Sequence, residues 1–151
     1  MAKQGALPVI TNRKAYHEYF VDEELEAGVV LHGCEVKMVR QGSFELRDAY
    51  AEIKDGEAWL VGSHIPEYPQ ASTHVSVDPV RRRKLLLHAE ELRRIARKVR
   101  EKGFTLVPLK AYFLRGKVKV SIGLVRGKKQ YDKRETIKAR DVQREQERFR
   151  G

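Results

Sequence analysis

The chemistry that this chain indicates most clearly is the binding of a polyanion, and it is concentrated in residues 126–151. That segment holds ten Lys and Arg residues against five Asp and Glu residues, a net charge of +5. Its few apolar side chains are too sparse to offset the entropy of ordering the backbone. A basic segment without a core of its own usually folds when it meets a polyanion. The segment therefore predicts binding to nucleic acid.

Cations recur at helical spacing within this segment. Arg140, Arg144 and Arg148 are each four residues apart and would share one face of a helix. An isolated helix of this length is marginal in water. We therefore expect residues 126–151 to form a separate basic C-terminal tail, disordered when the protein is free and helical when phosphates surround it.

Two further groups of cations lie earlier in the chain. Residues 81–84 are three arginines followed by a lysine, and a partner of opposite charge would relieve their mutual repulsion. The second group combines aromatic and basic side chains and consists of Arg13, Lys14, Tyr16, His17 and Tyr19. Its rings could stack on unpaired bases. The first group could also be a solvated turn, although the adjacent cations favour phosphate binding. The second group could equally be a half-buried strand.

Charge is segregated along the whole chain of 151 residues, which has a net charge of +10. Residues 18–67 carry twelve acids and four bases, whereas residues 81–151 carry twenty-four bases and eight acids. Such segregation is typical of a nucleic-acid-binding surface. No segment combines a basic face with a bulky apolar one, and no apolar run reaches spanning length, so we expect no membrane partner.

Patterns for catalysis are weak by comparison. The five histidines are scattered, and the sequence contains no CxxC, GxSxG or Walker A motif. The acids of residues 22–26 could form a metal-dependent nuclease site, although acids so close in sequence more often form a solvated loop. We therefore expect no catalytic residues, no metal and no cofactor. The single Cys34 fits a reducing compartment, and residues 1–15 lack a signal-peptide core, so the expected location is cytoplasmic.

Short apolar periods predict a mainly β fold. The expected strands are 16–21, 28–33, 49–54, 57–61, 85–87, 105–114 and 117–124, and the acidic run at residues 22–24 is expected to end the first of them. Asp55-Gly56 predicts a type I′ hairpin turn. Residues 35–40 fit either a helical turn or a strand, and residues 62–80 are expected to form a loop. Pro108 argues for an edge strand or a bulge.

One helix is well defined by the sequence, at residues 88–102. Leu92, Ile95, Ala96 and Val99 form a single apolar stripe, and Gly103 is placed to end the helix. Its outer face carries Arg93, Arg94, Arg97, Lys98 and Arg100. Such a face is typical of any surface helix and would also suit phosphates. About six short strands and a few helices predict a small closed antiparallel barrel, OB-like, over residues 1–125.

Five blocks of residues, in one order and at one spacing, resemble the SmpB family of bacterial tmRNA-binding proteins. The blocks are Asn12 to Phe20, Glu26 to Gly28, Glu35 to Lys37, Arg83 to His88, and Gly127 to Arg134. The sequence departs from the family pattern at Met38 and Val39, where Ser-Leu is more usual, and at Ser121, where a Lys is often found.

The resemblance implies an adaptor for ribosome rescue and not an enzyme. Such a protein binds the tRNA-like domain of tmRNA and delivers it to stalled ribosomes that lack a complete mRNA codon in the A site. It thereby enables trans-translation and tagging of the nascent chain. The implied partners are tmRNA, the decoding centre and mRNA channel of the small ribosomal subunit and, through tmRNA, elongation factor Tu and alanyl-tRNA synthetase. We expect the protein to be a monomer.

The resemblance and the basic clusters together assign residues to these partners. The expected tmRNA-binding residues are Asn12, Arg13, Lys14, His17, Tyr19, Glu26, Arg82, Arg83, Lys84, Leu86 and Lys119, with His17 and Tyr19 on the same surface as Glu26, Leu86 and Lys119. The expected decoding-centre segment is Gly127, Lys128, Lys129, Tyr131, Asp132, Lys133 and Arg134. The expected mRNA-channel residues are Lys138, Arg140, Arg144 and Arg148. Because a carboxylate repels phosphate, we expect Glu26 to accept from base amino groups or to orient a nearby Arg.

Two alternatives remain open at this point. The chain could be a general OB-type RNA-binding module without a ribosomal role, or a nuclease that uses the acids of residues 22–26. Selective binding of a tRNA-like fold separates the adaptor from the general module, and Mg²⁺-dependent RNA cleavage identifies the nuclease.

Overall fold

The computed structural model describes residues 7–69 and 77–128, which form a mainly β protein with three helices. In chain order the elements are β1 (Ile10–Thr11), α1 (Arg13–Glu18), β2 (Tyr19–Val29), α2 (Gly33–Arg40), β3 (Tyr50–Lys54), β4 (Glu57–Val61), β5 (Arg83–Leu86), α3 (Ala89–Lys102), β6 (Thr105–Leu114) and β7 (Lys117–Gly127). Within those two ranges, no helix is long and apolar enough to cross a lipid bilayer.

Six of the strands close into an antiparallel barrel. Their order is β6-β3-β4-β5-β2-β7, and pairing of β7 with β6 completes the ring. β1 adds a short seventh strand beside β6, where Ile10 lies opposite Ala111. The predicted barrel of about six strands is therefore confirmed. β1 was not predicted, because a strand of two residues has no periodicity to detect.

Alternation along β7 fills the barrel interior. Val118, Val120, Ile122 and Leu124 are all buried, as the sequence alternation predicts. Ile95 of α3 is also fully buried and belongs to the same core cluster. The apolar stripe therefore packs α3 against the barrel and leaves the opposite face of the helix to solvent.

The predicted hairpin turns and helix end are confirmed. Asp55 and Gly56 have φ angles of 53° and 74°, and Arg115 and Gly116 have φ angles of 53° and 77°. A type I′ turn needs positive φ at both central residues, so Gly supplies one position at little cost in each hairpin. Gly103 ends α3 in the left-handed conformation. The ambiguous residues 35–40 are helical and belong to α2.

The region before β2 differs from the sequence expectation, because Tyr16 and His17 belong to α1 and not to a first strand. The cause is a cap that the apolar pattern does not reveal. The Asn12 Oδ1 atom accepts a hydrogen bond from the Ala15 N–H group at 3.2 Å, which satisfies a donor that the start of the helix would otherwise leave unpaired.

The expectation that the acidic run at residues 22–24 ends the first strand is wrong. β2 continues through these residues from Tyr19 to Val29, with a bulge between Val21 and Glu23. A bulge places an extra residue in one strand and changes the direction of the side chains that follow. The register of β6 also shifts between Pro108 and Lys110, so the predicted bulge at Pro108 is confirmed.

The last strand extends past the expected end of the barrel domain. β7 continues to Gly127, which pairs with Tyr19, so a boundary after residue 125 falls inside a strand. The barrel therefore includes residues 126 and 127. The rest of the expected tail, with its predicted disorder and helix, lies outside the described residues.

A buried ion pair ties α2 to β5 and to the loop before it. The guanidinium of Arg83 is fully buried, and its Nε and Nη2 atoms donate to Oε2 of Glu35 at 3.0 and 2.7 Å. Its Nη1 atom donates to Oγ of Ser63 at 3.0 Å, and backbone carbonyls, including that of Pro79, accept its other hydrogen bonds. Arg81 donates to the second oxygen of Glu35 at 2.5 Å. Each buried charge is thus compensated within the protein.

Hydrogen bonds keep Glu35 ionised although it is buried. Burial by itself raises the pKa of its carboxyl group, but hydrogen bonds from Arg81, from the His32 N–H group and from Arg83 outweigh burial, and the resulting pKa lies below the usual value. Removing one partner of a buried pair is costly because the other charge is left uncompensated.

We expect Glu35→Gln to lower the free energy of unfolding by about 3 kcal/mol. Because the folded-state pKa of Glu35 lies below the unfolded value of about 4.3, its carboxylate stabilises the fold above that pH and ceases to do so as the pH falls. Urea unfolding between neutral and acidic pH should therefore show a steeper acid loss in the wild type than in Glu35→Gln. The exposed Glu45→Gln variant is the control, and equal slopes for wild type and Glu35→Gln would contradict the prediction.

Candidate nucleic-acid interface

Four residues on four neighbouring strands line up across the outer wall of the barrel. Leu86 of β5 lies opposite Gly28 of β2, and Gly28 lies opposite Lys119 of β7. Lys119 in turn lies opposite Tyr112 of β6. The adjacent residue Val120 is fully buried, so this row faces outward by strand alternation. We name these four residues the cross-strand row.

The row offers apolar and cationic contacts side by side. Leu86 is 53% exposed, which is unusual for a leucine in the wall of a barrel. Gly28 has no side chain, and a cavity of about 260 Å³ lies over it between Leu86 and Lys119. A Cβ atom at position 28 would lie 3.4 Å from the Leu86 Cβ atom and 3.7 Å from the Lys119 Nζ atom. Both groups therefore border the same small concavity.

A carboxylate is held at the end of this row. Glu26 lies two residues before Gly28 on β2, and its Oε1 atom accepts a hydrogen bond from the Tyr112 hydroxyl at 2.5 Å. Burial, followed by the interaction with Glu26, raises the pKa of Tyr112 to about 12. The hydroxyl therefore remains a donor at neutral pH, and the exposed Glu26 keeps its other oxygen for a partner. The residue that Glu26 contacts is a Tyr and not the Arg that had been suggested.

Tyr112 is a residue that the sequence analysis missed. The signal for it was present, because counting outward from the turn at Arg115 and Gly116 places Tyr112 opposite Lys119. The structure thus brings together three predicted residues, Glu26, Leu86 and Lys119, and adds Tyr112 to them.

His17 and Tyr19 lie at the other end of β2 from the cross-strand row, and a surface that includes both ends stays a prediction. Tyr19 pairs with Gly127, whereas Gly28 pairs with Lys119 further along the same two strands. An extended strand rises about 3.3 Å per residue, so the two ends of β2 are roughly 30 Å apart. His17, on α1, is exposed at the Tyr19 end.

The cluster at this second end is partly available for RNA. Arg13 is exposed, and Lys14 forms an exposed ion pair with Asp48 at 2.8 Å. An exposed pair contributes little stability and can be exchanged for a phosphate. Asn12, in contrast, is 4% exposed, and its amide donates to carbonyls of the protein. This side chain is therefore used inside the fold of the free protein, and its contact with tmRNA stays a prediction.

The cations of residues 81–84 are compensated within the protein. Arg82 pairs with Glu52, and Lys84 pairs with Glu57 at 3.2 Å, so mutual repulsion does not require an external anion. The guanidinium of Arg83 is enclosed and bonded to Glu35, so the free protein does not present it at the surface. Its contact with tmRNA stays a prediction. Arg82 and Lys84 remain at the surface in exposed pairs.

Three of the four acids of residues 22–26, namely Glu23, Glu24 and Glu26, turn to separate partners. Glu23 accepts from Arg94 at 2.6 Å and from Lys98 at 3.5 Å, and the hydrogen bond from Arg94 is the main cause of its lowered pKa. Glu24 accepts from the Ser121 hydroxyl at 3.3 Å. Within residues 7–69 and 77–128, no three His, Cys, Asp or Glu side chains are arranged to hold a metal ion. The nuclease hypothesis therefore has no support from this cluster.

Only the start of the expected decoding-centre segment is described. Gly127 ends β7, and the Lys128 Nζ atom donates to the Tyr16 carbonyl at 3.3 Å and lies 5.3 Å from the centroid of the Phe20 ring. The other predicted residues lie outside the described residues, namely Lys129, Tyr131, Asp132, Lys133, Arg134, Lys138, Arg140, Arg144 and Arg148.

Comparison with known proteins covers both the barrel and the segment that follows it. A family model described as SmpB protein matches residues 9–150. The chain is 50% identical to the SsrA-binding protein of Nitrosomonas europaea over 143 residues, which are 95% of this chain and 95% of that protein. It is 51% identical to the SsrA-binding protein of Ralstonia nicotianae over 143 residues, which are 95% of this chain and 97% of that protein. A solved structure described as "tmRNA-SmpB: a journey to the center of the bacterial ribosome" contains a chain that matches with a TM-score of 0.67 and 50% identity, over 80% of this chain and 85% of that one. Because family, relatives and fold agree over nearly its whole length, this chain belongs to the SmpB family.

Proposed function

We propose that this protein is an RNA-binding adaptor for ribosome rescue. It binds the tRNA-like domain of tmRNA, delivers it to stalled ribosomes that lack a complete mRNA codon in the A site, and enables trans-translation and tagging of the nascent chain. It acts in the cytoplasm by binding, without catalysis of its own. The observation that carries the proposal is the cross-strand row beside Glu26, on a chain of this family.

The row suits a structured RNA because its contacts differ in kind. Lys119 attracts a phosphate, and Leu86 covers the apolar face of a sugar or base. Glu26 repels phosphate but accepts from a base amino group or a ribose hydroxyl. Such an arrangement accepts an RNA only in the orientation that places phosphate at one end and a donor at the other. It therefore favours a particular fold over a random polyanion.

We expect the full chain to bind the tRNA-like domain of tmRNA more tightly than an ordinary tRNA. Leu86→Ala should weaken that binding roughly tenfold, because about 1.5 kcal/mol of apolar burial is lost. Filter binding or calorimetry measures both affinities. The control is Val80→Ala, which truncates an exposed apolar side chain outside the row. Equal affinity for both RNAs would favour a general RNA-binding module, and Mg²⁺-dependent cleavage of the bound RNA would favour a nuclease.

Tyr112 extends the proposal for Glu26, because its hydroxyl group donates a hydrogen bond to the Glu26 carboxylate. The hydroxyl fixes one carboxylate oxygen at 2.5 Å, so the other oxygen faces RNA in one orientation. We propose that Tyr112 is a positioning residue for Glu26 in tmRNA recognition.

We expect Tyr112→Phe to weaken binding of the tRNA-like domain by about 1 kcal/mol, because Glu26 is no longer held. Glu26→Gln should weaken it as well, and the double variant should lose less than the sum, with a coupling energy of about 0.5 kcal/mol or more. Tyr50→Phe, on another exposed tyrosine, is the matched control. Strictly additive losses would mean that the two side chains act independently.

A second part of the proposal concerns the end of the chain. The barrel forms one domain, and the basic tail acts separately, with Gly127 to Arg134 in the decoding centre and Lys138, Arg140, Arg144 and Arg148 in the empty mRNA channel. Elongation factor Tu and alanyl-tRNA synthetase are partners through tmRNA. Support comes from the net charge of residues 126–151 and from the family match, which extends to residue 150.

We expect replacement of Asp132, Lys133 and Arg134 by Ala to leave tmRNA affinity nearly unchanged and to abolish peptide transfer to tmRNA on stalled ribosomes. Val142→Pro should impair the same step, because Pro breaks a helix and keeps every positive charge. Val142→Ala is the control for the loss of the side chain. Normal tagging by Val142→Pro would show that the tail acts as an unstructured polycation.

A further inference from the structure

The outer face of α3 carries three arginines that the cross-strand row does not use. Arg93, Arg97 and Arg100 are all exposed. At about 100° per residue they fall within roughly 60° of one another, on the side opposite the buried Ile95. They therefore form one ridge that points away from the barrel. We name these three residues the α3 ridge.

The ridge differs from the other cations of the same helix. Arg94 and Lys98 lie on a neighbouring flank and both pair with Glu23 of β2. Within residues 7–69 and 77–128, no ridge arginine forms an ion pair or a hydrogen bond with a side chain. Glu90 and Glu101 lie on the same helix but do not come within ion-pairing distance of the ridge. Glu90 lies three residues before Arg93 and Glu101 four residues after Arg97, so both moderate the local positive field. Among the described side chains, however, none forms an ion pair with the three ridge arginines.

Because like charges repel, the three neighbouring arginines of the ridge favour the binding of an external anion. The pattern elsewhere in the chain is the opposite, because the cations of residues 81–84 each have a carboxylate from the protein. Arginine presents a planar fork of donors that matches phosphate oxygens in pairs. The outward face has no bulky apolar side chain between its arginines, which a membrane-binding helix would require. The ridge therefore fits the phosphate backbone of a nucleic acid.

The position of α3 in the fold favours ribosomal RNA as the partner of the ridge, because the proposed tail also binds the ribosome. Phe104 directly follows the end of α3 at Gly103, and the Arg126 guanidinium lies over its ring, 5.3 Å from the centroid. The C-terminal end of the ridge is therefore next to the end of β7, where the tail begins. The cross-strand row lies further along β2 and β7, toward Gly28 and Lys119.

We infer that the α3 ridge is a second RNA-binding surface, which contacts the phosphate backbone of ribosomal RNA beside the tail while the cross-strand row holds tmRNA. This inference rests on the proposed function. Its C-terminal member, Arg100, borders a cavity of about 620 Å³ that Glu52 and Asp55 also line. These acids disfavour phosphate on that flank, so Arg93 and Arg97 contribute most of the contact.

The test uses the full chain with two substitutions, Arg93→Gln and Arg97→Gln. The matched control is Lys37→Gln with Arg40→Gln, which removes two exposed charges from α2. For each protein, one measurement is the affinity for the isolated tRNA-like domain. The other is association of the preformed complex with tmRNA to ribosomes that have an empty A site, measured over a range of salt concentrations. Thermal melts verify that each variant is folded.

We expect the ridge variant to bind the tRNA-like domain within about twofold of the wild type and to associate with ribosomes at least tenfold more weakly. The log–log plot of its ribosome association against salt should become less steep by roughly 1.4 to 1.8, because each of two lost phosphate contacts contributes about 0.9 on a duplex or about 0.7 on a single strand. Arg93→Lys with Arg97→Lys should recover part of the affinity, since charge returns without the planar fork.

Several results would overturn the inference. Unchanged ribosome association, or an equal loss in the α2 control, would show that no specific contact is made by the ridge. An equal loss of tRNA-like domain affinity would place the ridge on the tmRNA surface instead. Failure of the wild type to bind tmRNA selectively would contradict the proposed function itself, and this is measured separately in the first experiment.

Discussion

β2 and β7 run antiparallel over eleven residues each, and their register determines where Glu26, Gly28 and Lys119 lie on the wall of the barrel. With Gly28 opposite Lys119, the Lys119 side chain faces outward and Val120 faces the core. A slip of one residue would turn each side chain to the other face of the wall. The bulge after Val21 adjusts the pairing so that the strands continue together past the acidic run. The same register carries the end of β7 to Tyr19, and so fixes the point from which the tail departs.

The buried pair of Arg83 and Glu35 imposes a second constraint, on α2 and β5. These residues are far apart in sequence, and their charges are stable inside the protein because hydrogen bonds from both arginines and from backbone groups satisfy them. A buried ion pair is weak evidence for added stability, but it requires a specific geometry. If either charge were buried without its partner, the free energy of the folded state would rise. It therefore holds β5 in place, and β5 carries the exposed Leu86 only three residues after Arg83. β5 therefore links the buried ion pair at Arg83 to the proposed RNA contact at Leu86.

The sequence predicted those features that depend on local periodicity and turn chemistry. The alternation of β7, the stripe of α3 and the Asp55-Gly56 turn are all local signals, and the structure agrees with each. Features that depend on distant partners were not predictable in the same way. Nothing near Arg83 in the sequence indicates Glu35, so an arginine in a basic run was interpreted as a phosphate ligand. The role of Asn12 likewise depends on distant partners, because its amide donates to the carbonyls of Leu46 and Pro108.

The distinction between compensated and uncompensated cations carries more functional information than the number of cations. The net charge of +10 describes the whole chain and does not distinguish Arg83 from Arg97. One is enclosed with a carboxylate, whereas the other points to solvent without one. Exposed pairs such as Lys84 with Glu57 lie between these cases, because a phosphate must displace a carboxylate before it can bind. Salt dependence of binding thus reflects first the cations without an ion-pair partner, and among the described residues these include Arg93 and Arg97 on the outer face of α3.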